Sequence, residues 1–174
     1  HAVERAGIDP ASVDDVILGL AAPQGTQGYN IGRLSAMAAG LPETVSGMQV
    51  DRMCSSGLMT IGLAAKSIMT NEQDIIVAGG LESISLVQNK HKNSYRAVSK
   101  AVLANSPNMY LQMIETAEIV ADRYNISREA QDEFAFNSNM KALAAIKEGR
   151  FVDEIVPMMA QLPATAKNGR PSSQ

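Results

Sequence analysis

From residue 54 to residue 70 the chain carries one charge, Lys66, amid residues that are almost all small or apolar. Leu58, Ile61, Ala65 and Ile68 fall on one helical face, and Met59, Gly62 and Ala64 make the other side nearly as apolar. A helix apolar all round is an interior helix, and it constrains whatever surrounds it. What surrounds it is a set of short strand candidates, aliphatic at 15–20 and 74–81 and weakened by Gly47 at 45–50. Residues 15–20 (DVILGL), 45–50 and 74–81 (DIIVAGGL) are too short for helices and are bounded by turn signals, as buried strands are. Asn30 is placed to cap a helix of small residues over 31–39, closed by Gly40 and Pro42. Helices alternating with strands predict an α/β chain with a mostly parallel sheet and helical crossovers.

The remainder is less regular. Residues 1–6 read as the end of a helix stopped at Gly7, with a turn at Pro10, and residues 22–29 read as a loop. Residues 86–108 form a polar excursion, with a helical turn expected over 96–103. Helices are expected over 110–124 and from the N-cap Ser127 to about Lys147 and Gly149. In the second of these Ala130, Phe134, Ala142, Ala145 and Ile146 share a face. Residues 151–157 are a strand candidate.

Composition removes several classes of function. The net charge is −3 and no stretch concentrates Lys and Arg, so neither nucleic acid nor an anionic membrane is an expected partner. The longest uncharged run, residues 16–32, is broken by Pro23, Gln24, Thr26, Gln27 and Asn30 and does not make a membrane span. A single cysteine excludes an internal disulfide framework and a zinc site built on several thiolates; no metal site is expected. Residue 1 is His and no signal-peptide pattern follows, so the chain is expected to begin inside a larger protein.

That cysteine, Cys54, stands where a strand ends and the apolar helix begins, followed by Ser55, Ser56 and Gly57. Unpaired N–H groups and the positive end of the helix dipole both favour a thiolate there. The Cys54 N–H is also placed to stabilise an oxyanion on an acyl group carried by its sulfur. The alternative for a lone cysteine is a small core hydrophobe.

The segment Asp51-Arg52-Met53-Cys54-Ser55-Ser56-Gly57-Leu58 resembles the nucleophilic-cysteine motif of the thiolase family. Further blocks resemble the family in the same order. They are Arg5-Ala6-Gly7-Ile8-Asp9-Pro10 with Val13-Asp14-Asp15-Val16, then Val77-Ala78-Gly79-Gly80-Leu81-Glu82-Ser83, then Glu115-Thr116-Ala117-Glu118. Ile126-Ser127-Arg128-Glu129-Ala130-Gln131-Asp132 follows, and Gly149-Arg150-Phe151 with Glu154-Ile155-Val156-Pro157 closes the region. The resemblance implies a thiolase-like fold: one half of a duplicated α/β core, a mixed, mostly parallel sheet flanked by helices. Residues 1–157 are then a partial N-terminal domain, and 158–174 the start of a loop domain or a tail.

For function, the resemblance implies an acyltransferase that cleaves 3-ketoacyl-CoA with coenzyme A to acetyl-CoA and a shortened acyl-CoA, or runs the reverse condensation. Cys54 is the implied acyl-accepting nucleophile, and Met113 matches the methionine lining the acyl pocket. Coenzyme A is a substrate and no cofactor is expected. A homodimer or homotetramer is implied, in the cytoplasm, or in mitochondria or peroxisomes of a eukaryote. Asp51 replaces the commoner Asn, Ile114 a common Gly, and Gln112 the His of some short-chain members. The family's catalytic His, water-holding Asn and second Cys belong to a later half, so this length alone is expected to be inactive. His91 is expected to be solvated or on the coenzyme side, not the base. A β-ketoacyl synthase-like enzyme shares the fold and the Cys-Ser-Ser placement, and a non-catalytic thiolase-like protein is the third reading.

Overall fold

The structure is a computed structural model and describes residues 1–159. The described residues pack as two compact units, the first His1–Ala97 and the second beginning at Val98.

In the first unit, α1 (Ala2–Ala6) is stopped by Gly7 in the left-handed conformation, φ 67°. Pro10 opens a short 3₁₀ turn whose Ala11 N–H is held by the Asp9 carboxylate at 2.9 Å. There follow β1 (Asp15–Gly19), α2 (Ile31–Ala38), β2 (Ser46–Val50), α3 (Ser56–Met69), β3 (Ile76–Gly80) and the short α4 (Ile84–Val87). The three strands form a parallel sheet in the order β2-β1-β3. Parallel neighbours need crossovers, and α2 and α3 supply them. This is the expected α/β layer, and every ladder among the described residues is parallel. Gly19 pairs with both Val50 and Gly80, so the three strands end together at one edge. At the other edge Asp14 ties the layer: its carboxylate accepts from Asp74 N at 2.8 Å and Ile75 N at 2.9 Å, and its carbonyl accepts from Ser46 N. Those two N–H bonds hold the Asp14 carboxyl below its ordinary value.

Alternate residues of β1 face opposite layers. Val16 packs with Val13, Ala36 and Val45 on the α2 side, with Leu18 and Val77 beside them. Gly19 faces α3. The helix docks through Ser56, Thr60 and Ala64, its buried residues. The Thr60 hydroxyl lies 2.8 Å from the carbonyl oxygens of both Gly57 and Gly79, stitching helix to strand. The expectation of a wholly interior helix is therefore corrected for this chain. Leu58 is 75% and Ile61 54% exposed, because one sheet covers only one side of a helix and it covers the small-residue stripe.

In the second unit, α5 (Lys100–Asn105) begins at Ser99, whose hydroxyl accepts from Val102 N, and α6 (Met113–Arg123) follows. The Glu115 carboxylate reaches back to Gln112 N at 2.9 Å, fixing the start of α6. The start of α7 (Arg128–Lys147) is as expected: the Ser127 hydroxyl accepts from Ala130 N at 3.2 Å. Residues 151–157 are not a strand. Gly149 adopts φ 70°, and hydrogen bonds from Val152 N to Gly149 O and from Glu154 N and Ile155 N to Phe151 O coil the segment into turns. Most of the expected loop-domain start, residues 160–174, lies outside the described residues.

Candidate active site

Parallel α/β sheets take ligands at the carboxyl ends of their strands, where helix N-termini converge. That edge is where Cys54 lies. A cleft of about 430 Å³ is lined by Gly19, Leu20 and Ala21 at the end of β1, by Met53, Cys54, Ser56 and Gly57 at the head of α3, and by Gly80, Leu81, Glu82, Ile84 and Gln88 from the end of β3 onward. Its lining comes wholly from the first unit.

Cys54 is free and exposed. It sits in the turn ahead of α3, two positions before the first helical residue Ser56. Ser55 occupies the N-cap position without a capping bond; its hydroxyl turns back to the Arg52 carbonyl at 2.8 Å. The first N–H groups of α3 thus carry no side-chain acceptor, and the positive end of the helix faces the cleft.

Glycines let the helix head come this close to the sheet. A Cβ on Gly19 would lie 2.7 Å from Gly57 N and closer still to the carbonyl group of Ser56. Gly80 approaches less closely: a Cβ there would lie 3.4 Å from the Gly57 Cα.

The opposite wall is held by two residues that local sequence did not single out for this role. Gln27 is 1% exposed. Its amide nitrogen donates to the Ala22 carbonyl at 3.0 Å and to the Glu82 carboxylate at 2.6 Å, and its amide oxygen accepts from Ser83 N. Glu82 accepts also from Ala21 N at 2.7 Å. The loop after β1 and the loop after β3 are thereby latched together beside Cys54. The resemblance block through Glu82 was the one available signal.

The Gln27 amide, then the Ala21 N–H, hold the Glu82 carboxyl below its ordinary value. A carboxyl lowered by folding stabilises the fold above its unfolded pKa, and that contribution is lost as pH falls through the folded value. Glu82→Gln is therefore expected to be less stable than the parent at pH 7 and to converge with it below pH of about 4. Denaturant midpoints at the two pH values check this; a gap that does not narrow in acid refutes it.

The other candidate residues lie elsewhere. His91 is exposed, its backbone N–H bonded to the Asn89 carboxamide at 2.8 Å, and it is outside the cleft lining. Met113 opens α6 in the second unit and is 74% exposed. Among the described residues no group of three His, Cys, Asp or Glu side chains is arranged to hold a metal ion.

A parallel α/β layer with an exposed thiol at its carboxyl edge defines the class: an α/β protein whose site lies where such sheets receive ligands. The chain belongs to the thiolase family, matching the family's N-terminal domain over residues 1–168. It is 40% identical over 169 residues to a 3-ketoacyl-CoA thiolase of Bacillus subtilis (strain 168), covering 97% of this chain and 43% of that protein. It is 42% identical to a probable acetyl-CoA acyltransferase of Staphylococcus aureus (strain COL), covering 91% of this chain and 42% of the relative. The crystal structure of the Bacillus anthracis acetyl-CoA acetyltransferase superposes with a TM-score of 0.75 at 39% identity, over 92% of this chain and 43% of that one. The chain thus spans less than half the length of these relatives, and the β-ketoacyl synthase-like alternative is not favoured.

Proposed function

We propose that this chain carries the acyl-accepting part of a thiolase-type acyltransferase, with Cys54 as the nucleophile. The observation that carries the reading is the exposed Cys54 thiol in a cleft at the carboxyl edge of a parallel sheet, ahead of the α3 N-terminus. The names of the relatives support the substrate class: a 3-ketoacyl-CoA and coenzyme A.

The thiolate of Cys54 attacks the 3-keto carbonyl carbon, and the bond between carbons 2 and 3 breaks. Its electron pair leaves on the acetyl-CoA fragment, which takes up a proton from an acid. The shortened acyl group remains on sulfur as a thioester. The thiolate of coenzyme A then attacks that thioester, releasing acyl-CoA and the Cys54 thiolate. Backbone N–H groups at the head of α3, that of Cys54 among them, are suited to stabilise the oxyanion of each tetrahedral state. The residues that move protons belong, by the resemblance, to the part of the relatives that this chain does not span. Met113 is assigned to the acyl pocket on the resemblance alone. The apolar face of α3 left open here supports assembly with further layers and a homo-oligomer. A thiol that must stay reduced suits a cytoplasmic setting, with a role in β-oxidation of fatty acids.

The test is to trap the intermediate. The full-length protein is mixed with a 3-ketoacyl-CoA in the absence of free coenzyme A, quenched in acid, digested and analysed by mass. The expected result is an acyl group on the Cys54 peptide that added coenzyme A discharges. Turnover with the acyl group on another residue overturns the assignment.

A further inference from the structure

The residue before Cys54 is in an unusual conformation. Met53 adopts φ 50°, the left-handed region that a long side chain without a local hydrogen-bonding group seldom enters. Two side chains hold it there. The Asp51 carboxylate accepts from Met53 N at 2.8 Å. The Ser56 hydroxyl accepts from Arg52 N at 2.7 Å and donates to the Met53 carbonyl at 2.6 Å, with the Leu20 carbonyl at 3.4 Å. Ser56 is 2% exposed, so its bonds are made without competition from solvent. The Ser56 N–H donates to the same Met53 carbonyl at 3.1 Å.

We infer that Asp51 and Ser56 are positioning residues for the Cys54 thiol, clamping the Met53 peptide so that Cys54 is presented at the cleft. The peptides on both sides of Met53, the second of which carries the Cys54 N–H, are fixed by these bonds. Relaxation of Met53 to negative φ would rotate the peptide that follows and swing the Cys54 side chain away from its place at the head of α3. Backbone strain of this kind persists only where neighbours over-determine it, and here they do so beside the thiol. Asp51 is exposed and contributes no core packing, so its bond to Met53 stands out as its contribution to this turn.

The inference rests on Cys54 being the nucleophile, and the experiment keeps the two claims apart. Asp51→Ala and Asp51→Asn both remove the charge, but only Asn keeps an acceptor oxygen within reach of Met53 N. In the full-length protein, Asp51→Ala is expected to lower kcat about tenfold relative to Asp51→Asn, with KM changed far less and thermal midpoints alike. Alkylation of Cys54 by iodoacetamide, read on its peptide, is expected to be at least about threefold slower in Asp51→Ala than in Asp51→Asn, as the thiol leaves its exposed place at the cleft. Ser56→Ala is expected to behave like Asp51→Ala if it folds; if it does not, the Asp51 pair decides. Equal kcat and equal alkylation in the Ala and Asn variants overturn the clamp. A parent protein that turns over without acyl-Cys54 overturns the nucleophile instead, and the clamp is then judged on alkylation alone.

Discussion

Replacing Cys54 by Ala in the full-length protein is expected to reduce thiolytic turnover by at least about 10³-fold, a loss of about 4 kcal/mol of transition-state stabilisation. Without the thiol, the first step has no acceptor for the acyl group, and no neighbouring side chain in the cleft can substitute. Ser56 is the nearest alternative in kind, but its hydroxyl is buried and committed to the Met53 carbonyl. Stability should hardly change. Cys54 is exposed, and the turn around it is held by the side chains of Asp51, Ser55 and Ser56, not by its own. Exposed substitutions away from such bonds fall within about 0.5 kcal/mol. Activity lost with an unchanged unfolding midpoint therefore separates a reactive thiol from a structural one. Parental turnover in Cys54→Ala would end the assignment.

The strands and the placement of Cys54 were legible because their signals are local. The runs that became β1, β2 and β3 are short and bounded by Gly, Pro or polar residues, two of them aliphatic, and the cysteine sits at a strand-to-helix boundary visible in a few residues. The face of α3 was not legible. Hydropathy points to Leu58, Ile61, Ala65 and Ile68, whereas the sheet receives Ser56, Thr60 and Ala64. Close approach of a helix to strand ends built from Gly19, Gly79 and Gly80 selects small residues with a hydroxyl to spare, and a periodicity count does not weigh that. Residues 151–157 carry the apolar residues of a strand, yet Gly149 and the turn bonds to Phe151 coil them. The four residues of α4 are too few to show any period. The Gln27–Glu82 latch joins positions far apart in the chain, and such a bond leaves no trace in either local segment.

Gly19→Ala, which alters no reacting group, is expected to be strongly destabilising. Gly19 ends the central strand, paired with β2 on one side and β3 on the other, so it has no room to move within the sheet. The added methyl would meet the Ser56 carbonyl group and, at 2.7 Å, Gly57 N. These are backbone atoms at the head of α3, where Ser56 is bonded to Arg52 and Met53. Relief requires the helix head to lift from the sheet edge, which breaks the Ser56 contacts and displaces Cys54. Overpacking against backbone of this kind is expected to destabilise by about 3 kcal/mol and to lower the midpoint of thermal unfolding by about 10 °C. Gly62 supplies the internal comparison. It lies inside α3, and a methyl added there would meet nothing within 4 Å, so Gly62→Ala in this chain should stabilise the helix by about 0.5–1 kcal/mol. Opposite shifts for the same chemical change, measured side by side in denaturant, would show that the closeness of α3 to β1 sets the fold at this edge. A Gly19→Ala protein as stable as its parent would sink the claim that the Cys54 turn depends on that approach.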